Sequence, residues 1–320
     1  MRMKKTIVSL YMFLATGAAS AQLIVPDVTQ FKASVEPLLT TTWDQGAPYN
    51  SLTPTKTNIL TGKRQNTPVG CVALALGQIM YYHRYPEMGQ GRNAYKSFFD
   101  ADSLIAEFGQ TEYRWDRMLE SYTYNYSSAN VQAVATLLFH CGVAVGTIYQ
   151  ASGSSAFAYG NIPKDLVDYF RYEPDGIRYL SRSDYGKQEW MELIYNELSN
   201  GRPIFYSGNS ASQGGHAWVL DGYDAEGRVH INWGWKGSHN GYYDIDLTDT
   251  AHDFNRQQAM VIGIQPKQDQ TSVASVPQSV EGGERVAAIY ALDGTPLPQP
   301  RKGLNLVRYD DGTIRKVIVR

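Results

Sequence analysis

The spacing of apolar residues predicts helices in the first two thirds of the chain and strands after them. Apolar residues recur at helical spacing in four stretches, at residues 71–83, about 130–144, 163–171 and 187–199. Five strand-like segments follow, separated by turns rich in Gly, Asp and Asn: PIFYSG, HAWVLDGYD, RVHINWGW, GYYDIDL and AMVIGIQP. Because the helices precede the strands and do not alternate with them, the pattern favours an α+β fold.

The composition of successive segments predicts how the chain is divided. Residues 1–21 have the order of a signal peptide: basic MRMKK, apolar TIVSLYMFLATG, then small ASA. The alternative for this stretch is a buried N-terminal strand. A short polar lead-in or pro-segment (22–36), a main domain (37–266), a polar linker (267–283) and a small β domain (284–320) are expected to follow.

Charge and hydropathy limit the partners and the location. The 29 Lys and Arg nearly balance the 31 Asp and Glu, so net charge favours neither nucleic acid nor an anionic membrane surface as a partner. No later segment reaches the roughly 18 apolar residues of a membrane span. The mature protein is therefore expected to be secreted or held at the cell surface. Histidines and carboxylates form no ligand-like cluster, so no metal or cofactor is predicted.

The two cysteines lie in different surroundings. Cys141 falls on the apolar positions of a predicted helix, where a thiol acts as a small hydrophobic side chain. Cys71 follows a Pro-Val-Gly turn and opens the first predicted helix, where free amides and the helix dipole favour a thiolate. We therefore expect Cys71 to be a nucleophile with a depressed pKa. A disulfide between the two cysteines is the alternative in an exported protein.

His216 is the favoured partner for the thiol. It follows two glycines and opens an apolar strand, whereas His230 lies in the middle of a strand and is expected to be a satisfied sheet histidine. Asn232 lies 16 residues after His216, across a turn at DAEG. There its amide could fix the orientation of the imidazole, and Trp233 and Trp235 could shield that hydrogen bond from water. A regular hairpin would place Trp235 opposite His216, so Asn232 could reach the imidazole only through a bulge or bend.

Four segments, WDQGAPYN, GCVALALGQIMYYHRYP, GGHAWVLDGYD and HINWGWKGSHNGYY, resemble the streptopain-like cysteine peptidases, in the same order as in that family. The similarity runs over about residues 36–266. It implies a papain-like α+β fold, with a helical subdomain and an antiparallel sheet subdomain, and an endopeptidase acting on protein or peptide substrates.

By position, the resemblance implies that the catalytic residues are Cys71 (nucleophile), His216 (general base), Asn232 (orienting amide), Trp233 (its shield) and Gln45 (oxyanion donor). Taken alone, Gln45 would be read as a turn side chain that caps local backbone.

Three further residues are candidates for the substrate cleft by the same analogy. Ser154 and Ser155 lie in the loop SGSSAFAYGN, and Gly215 immediately precedes His216. By composition alone, these segments are ordinary loops.

The chain departs from the family at both ends. Residues 22–36 are too few for a folded inhibitory domain, but an extended segment of that length could lie across the cleft as a strand. The tail from 284 to 320 resembles the C-terminal sorting domains of type IX secretion cargo, which implies a secretion machinery as partner. The alternative is a stabilising β appendage.

Two other functions fit part of the pattern. A papain-fold transglutaminase or acyltransferase shares Cys/His chemistry but typically orients its histidine with Asp, so Asn232 favours a peptidase. A non-catalytic binding protein on the same fold is disfavoured because Cys71, His216 and Gln45 are all retained.

Overall fold

The computed structural model describes residues 23–96, 103–157, 161–248, 251–267, 286–291, 296–297, 300, 303–309 and 313–319. The predicted signal peptide and the predicted linker, apart from Lys267, lie outside these residues. Backbone contacts separate the chain into two units, Met1–Lys267 and Gln268–Arg320. Within the described residues, no helix combines the length and hydropathy needed to cross a membrane.

In the described part of the first unit there are four α-helices: α1 (Cys71–His83), α2 (Ser128–Ala144), α3 (Ile162–Phe170) and α4 (Lys187–Ser199). These bounds agree with the four predicted helices within about two residues, so the prediction is confirmed. A capping box between Ser127 and Asn130 starts α2, which satisfies amides that would otherwise lack partners. Pro163 lies in the first turn of α3, where its missing N–H costs nothing.

The same described residues form ten strands: β1 (Thr55–Thr57), β2 (Arg64–Asn66), β3 (Asn93–Tyr95), β4 (Leu104–Ala106), β5 (Arg178–Ser181), β6 (Ile204–Ser210), β7 (Gly214–Tyr223), β8 (Val229–Asn232), β9 (Gly241–Tyr243) and β10 (Arg256–Ile262). The pairs β1–β2 and β3–β4 are separate hairpins. The other six strands form one antiparallel sheet in the order β5-β10-β6-β7-β8-β9.

The register of this sheet fixes the surroundings of His216. On one side, His216 pairs with Gly208 of β6. On the other side, the pairing of β7 with β8 ends at Val219 and Asn232, and the chain bends at Gly234 and Trp235. Regular pairing therefore does not extend to His216. The one irregularity between β7 and β8 lies between Leu220 and Gly222, farther along the strand.

Helix α1 lies between the helical layer and the sheet. Every residue from Val72 to Tyr81 is buried, because α1 packs against α2 on one side and β7 on the other. A methyl group added at Gly77 would lie 2.4 Å from Leu138 Cδ2, so the glycine permits close approach of the two helices. This packing brings the first residue of α1 to the edge where the two layers meet.

The N-terminal segment does not cross the cleft, contrary to the possibility raised by its length. Val35 exchanges backbone hydrogen bonds with Tyr223, at 2.8 and 2.9 Å, and Leu38 N–H donates to the carbonyl of Asp221. Lys32 N–H donates to Ser199 Oγ at 3.2 Å. Tyr223 is seven residues from His216, roughly 23 Å along β7. We call residues 23–40 the N-terminal strap, which lies on the sheet and α4.

The second unit is an antiparallel sheet of four strands, β11 (Val286–Tyr290), β12 (Pro296–Leu297), β13 (Gly303–Tyr309) and β14 (Ile314–Val319), in the order β12-β11-β13-β14. Val307 and Val317 are buried within it. The short strands predicted for this part of the chain are therefore present.

Candidate active site

Cys71 is the first residue of α1, as the sequence predicts. Gly70, immediately before it, has a backbone φ of 94°, which residues with a Cβ rarely adopt. The backbone amide of Val69 donates to the carbonyl of Gln45 at 2.9 Å. The glycine turn and this hydrogen bond fix how the helix begins. The half-buried Cys71 side chain lines a cleft with His216.

Burial raises the pKa of the Cys71 thiol, and the backbone amides of Ala217, Val72 and Cys71 only partly oppose this by lowering it. The backbone amides at the start of α1 therefore do not by themselves bring the pKa of this thiol below its ordinary value. The thiol has lost more solvation than the amides restore, so a stable thiolate requires a positive charge beside it.

His216 is buried, 8% exposed, and its orientation is set by a backbone carbonyl. Its Nε2 lies 3.0 Å from the carbonyl oxygen of Trp233. Because a carbonyl can only accept a hydrogen bond, Nε2 carries the proton and Nδ1 keeps its lone pair. Burial lowers the pKa of His216 to about 4, the Trp233 carbonyl raises it, and the charge on His252 lowers it further.

Aromatic rings surround the imidazole of His216. Trp235 stacks on it with ring centroids 4.8 Å apart and planes 25° apart. Phe254 and Trp218 lie 5.2 and 6.0 Å away, and Trp233 lies at 6.1 Å. These rings hold the imidazole in place and exclude water from its hydrogen bond, and the face of Trp235 favours the protonated ring.

Asn232 is not hydrogen-bonded to His216. Its Nδ2 donates to the carbonyl of Thr41 at 2.8 Å, and its Oδ1 accepts from Gly234 N–H at 3.1 Å. Both the side-chain oxygen and the side-chain nitrogen are therefore engaged by backbone groups, and the bend at Gly234 and Trp235 does not bring the amide into a hydrogen bond with the imidazole. The two hydrogen bonds instead fix Asn232 and Gly234, the residues before and after Trp233, and so hold the Trp233 carbonyl between them.

Two contributors to the site were not identified from the sequence. The Trp233 carbonyl has no sequence signature, and neither does Asn240, whose Oδ1 accepts from Trp233 N–H at 3.0 Å. Trp235, which was expected to shield the histidine from water, stacks on its imidazole.

Gln45 lies beside the turn that leads to Cys71. It is half-buried, and its carbonyl accepts the Val69 hydrogen bond described above. The backbone N–H of Gln45 donates to Asp44 Oδ1 at 2.7 Å. Gln45 is thus joined through its carbonyl to the turn that leads into α1 and Cys71.

The cleft between the two layers has a volume of about 210 Å³. Besides Cys71 and His216, it is lined by all three residues predicted for substrate contact, Ser154, Ser155 and Gly215. Phe157, Tyr179, Asn209 and Gln257 also line it. An added Cβ at Gly215 would lie 2.9 Å from Asn209 Oδ1, so the glycine keeps the wall beside the histidine open.

The remaining candidate residues have structural surroundings. Both cysteines are free, and Cys141 is buried with its Sγ 3.6 Å from Met80 Sδ, so the disulfide alternative is not realised. His230 Nδ1 pairs with the buried Asp221 at 2.7 Å, as expected for a sheet histidine. In the described part of the chain, no group of three or more His, Cys, Asp or Glu could hold a metal ion.

A helical layer that presents a cysteine at a helix N-terminus, facing a histidine on an antiparallel sheet, is the arrangement of the papain-like α+β fold. The sequence profile of the Peptidase C10 family matches residues 43–243. The chain belongs to this family.

Known proteins similar to this chain agree with the assignment. Streptopain of Streptococcus pyogenes is 33% identical over 244 residues, which are 70% of this chain and 60% of streptopain. The thiol protease/hemagglutinin PrtT of Porphyromonas gingivalis is 32% identical over 253 residues, 76% of this chain and 28% of PrtT. The chain thus matches only 60% of the length of streptopain.

Solved structures similar to this chain include the active wild-type interpain A cysteine protease of Prevotella intermedia, at a TM-score of 0.67 and 37% identity. The match covers 75% of this chain and 98% of that one. A mutant fragment of prointerpain A matches at a TM-score of 0.68 and 37% identity, covering 77% of each chain.

Proposed function

We propose that this chain is a cysteine endopeptidase that hydrolyses peptide bonds in protein or peptide substrates. The observation that carries the proposal is the pairing of Cys71 and His216 in one cleft, with the tautomer of His216 fixed by the Trp233 carbonyl so that Nδ1 is free to accept a proton. Membership of the Peptidase C10 family supports the same activity.

The ionised forms of Cys71 and His216 arise together. Burial disfavours the thiolate and the imidazolium when each is considered alone. Transfer of the thiol proton to His216 Nδ1 creates both ions side by side, and their attraction offsets the loss of solvation. The amide of Ala217, which hydrogen-bonds the sulfur, and the stacked Trp235 ring stabilise one ion each.

Hydrolysis then proceeds through an acyl-enzyme. The Cys71 sulfur attacks the carbonyl carbon of the scissile bond, and the resulting oxyanion is held by the Cys71 backbone amide and the Gln45 side chain. His216 gives its proton to the leaving amine as the C–N bond breaks. Water, deprotonated by His216, attacks the thioester, and the free acid leaves as the thiol is restored.

We assign Asn232 a positioning role, acting through the backbone. Its hydrogen bonds to Thr41 and Gly234 keep the Trp233 carbonyl in place, and that carbonyl orients the imidazole. Trp233 shields this arrangement from water, because its indole is fully buried between the imidazole and Phe254. Ser154, Ser155 and Gly215 are proposed to contact the substrate.

The location and the tail complete the proposal. The signal-peptide pattern of residues 1–21 supports export, and we propose that the protein acts outside the cytoplasm. The small β unit at the C-terminus is proposed to be a sorting domain recognised by secretion machinery, on the resemblance of its sequence.

The proposal is tested by measuring hydrolysis of a protein substrate and of a short fluorogenic peptide. Cys71→Ala and His216→Ala are expected to abolish both, whereas Cys141→Ala and His230→Gln are expected to retain them. Adding a primary amine separates the alternatives, because an acyltransferase would form the amide product in preference to the free acid. Full hydrolysis by Cys71→Ala, or loss of hydrolysis in a folded His230→Gln protein equal to that in His216→Ala, would overturn the assignment.

A further inference from the structure

The hairpin β1–β2 carries two adjacent aliphatic side chains that the fold leaves in solvent. Ile59 is 92% exposed and Leu60 is 86% exposed, the highest values among the large apolar side chains in the described residues. Isolated exposed apolar residues are ordinary, but here two consecutive residues at one hairpin turn are both almost fully exposed. This surface takes no part in the cleft.

The tip is held in a defined turn. Asn58 Oδ1 accepts hydrogen bonds from Leu60 N–H at 2.9 Å and from Thr61 N–H at 3.2 Å. The Asn58 carbonyl accepts from Gly62 N–H at 2.8 Å, and Asn58 N–H donates to the carbonyl of Lys63 at 2.8 Å. These bonds satisfy the turn locally, so Ile59 and Leu60 are presented outward by a folded loop.

The base of the hairpin is fixed to the wall of the cleft. Thr67 N–H donates to the carbonyl of Pro54 at 2.9 Å, and Lys56 Nζ donates to the carbonyl of Tyr149. Tyr149 follows Ile148, which pairs with Ser155 of the cleft wall. The hairpin is therefore joined by hydrogen bonds to the loop that forms the cleft wall.

The charge around the tip is positive. Between Asp44 and Glu87, the sequence contains Lys and Arg but no Asp or Glu. Lys63 and Arg64 lie exposed on the strand that leaves the tip, and neither forms an ion pair with a described residue. The overall charge of −2, which argued against an anionic membrane surface, averages over this local excess.

We propose that this hairpin tip binds the surface of an anionic phospholipid bilayer, with Ile59 and Leu60 inserted at the acyl boundary and Lys63 and Arg64 against the phosphates. An apolar segment with flanking cations is the composition that interfacial lipid binding requires. Two protruding side chains offer far less than the roughly 800 Å² per partner of a stable protein interface, whereas a bilayer deforms around a narrow tip.

The consequence for function rests on the proposed peptidase activity. A rigid hairpin beside the cleft would hold the active site close to the lipid surface, which favours substrates displayed there. Binding itself does not depend on catalysis, so it can be measured in the Cys71→Ala protein.

The test is cosedimentation of Cys71→Ala protein beginning at Gln22 with vesicles of phosphatidylcholine, with and without phosphatidylglycerol. The start at Gln22 removes the apolar stretch of the signal peptide. Binding is expected only with phosphatidylglycerol and is expected to weaken at high salt. The double variant Ile59→Ser/Leu60→Ser is expected to lower the partition coefficient about tenfold or more.

Two further variants sharpen the result. Lys63→Ser/Arg64→Ser is expected to weaken binding to anionic vesicles by about thirtyfold and to remove most of its salt dependence. The matched control is Val25→Ser/Val28→Ser, which removes two other exposed aliphatic side chains, on the N-terminal strap. This variant is expected to have the same partition coefficient as the parent protein.

The proposal is overturned if the parent protein does not sediment with anionic vesicles, or if the tip variant binds as well as the parent. In catalytically active protein, a second outcome also overturns it. If the protein does not bind vesicles, and the Ile59→Ser/Leu60→Ser variant cleaves a protein substrate more slowly but a short peptide at the normal rate, the tip is a docking site for protein substrates.

Discussion

Replacing Asn232 with Ala separates two ways in which this residue could serve the histidine. In the structure, the side chain bonds the Thr41 carbonyl and the Gly234 amide and does not contact the ring of His216. Asn232 and Thr41 are each 2% exposed, so water cannot readily replace the lost partner. Each buried group left without a hydrogen bond costs about 1–3 kcal/mol.

The expected loss of unfolding free energy in Asn232→Ala is therefore about 2–6 kcal/mol, a large part of the roughly 5–15 kcal/mol typical of a domain. The activity should fall for an indirect reason, because the Trp233 carbonyl is no longer held. Loss of one ordinary hydrogen bond to His216 corresponds to about a tenfold decrease in kcat.

Asn240→Ala provides the matched comparison. Asn240 Oδ1 accepts from Trp233 N–H, so this variant loosens the same stretch of backbone from a more exposed position. We expect it to lower kcat in the same direction but by less, with KM little changed in both variants. Stability is measured by urea denaturation in Cys71→Ala protein, which cannot digest itself, and kcat is measured in active protein.

The indirect role is refuted by one combination of results. If Asn232→Ala keeps its unfolding free energy within about 0.5 kcal/mol and loses more than a hundredfold in kcat, while Asn240→Ala loses nothing, Asn232 acts on the imidazole directly.

Three other predictions follow from the fold. Deleting residues 23–34 should lower the urea midpoint, because the deletion removes strap contacts to the sheet and α4. The deletion should not raise peptidase activity. A rise in activity at unchanged stability would show that the segment inhibits the enzyme. Burial lowers the pKa of His83 and of His140 to about 4, below the value of 6.5 in the unfolded chain. The folded protein therefore favours the neutral rings, and their contribution to stability is complete above pH 6.5 and is lost as the pH falls toward 4. The urea midpoint of Cys71→Ala protein should therefore fall between pH 7 and pH 4.5, with a smaller fall in His83→Gln/His140→Gln; a midpoint independent of pH contradicts this. Truncation after residue 267 should leave peptide hydrolysis unchanged, and loss of activity in a folded truncated protein would show that the C-terminal unit contributes to catalysis.

The elements that the sequence predicted correctly are those specified by local signals. Helix α1 could be located because its apolar and small residues begin behind Gly70 and end before Pro86. Strand β7 could be located because its apolar run follows Gly214 and Gly215 and ends before the turn DAEG. The cleft followed from these two elements, since α1 and β7 carry Cys71 and His216.

The parts that the sequence did not predict depend on long-range backbone geometry. The acceptor for His216 is a main-chain carbonyl, which every residue possesses, so no residue type marks it. Asn232 was expected at the imidazole, but its side chain meets Thr41, 191 residues earlier in the chain. The strap likewise binds through backbone groups of Val35 and Tyr223, which carry no pattern that distinguishes the sheet edge from the cleft.

Titration with an epoxide inhibitor specific for reactive thiols, followed by mass mapping of the labelled peptide, tests the central claim most directly. Cys71 lines the cleft beside His216, while Cys141 is fully buried against Met80 and burial raises its pKa strongly. We predict one label per chain, on Cys71, with activity lost in proportion to labelling and no label on Cys141. Labelling of Cys141, a Cys71–Cys141 disulfide in active protein, or full activity after complete labelling of Cys71 would contradict the account.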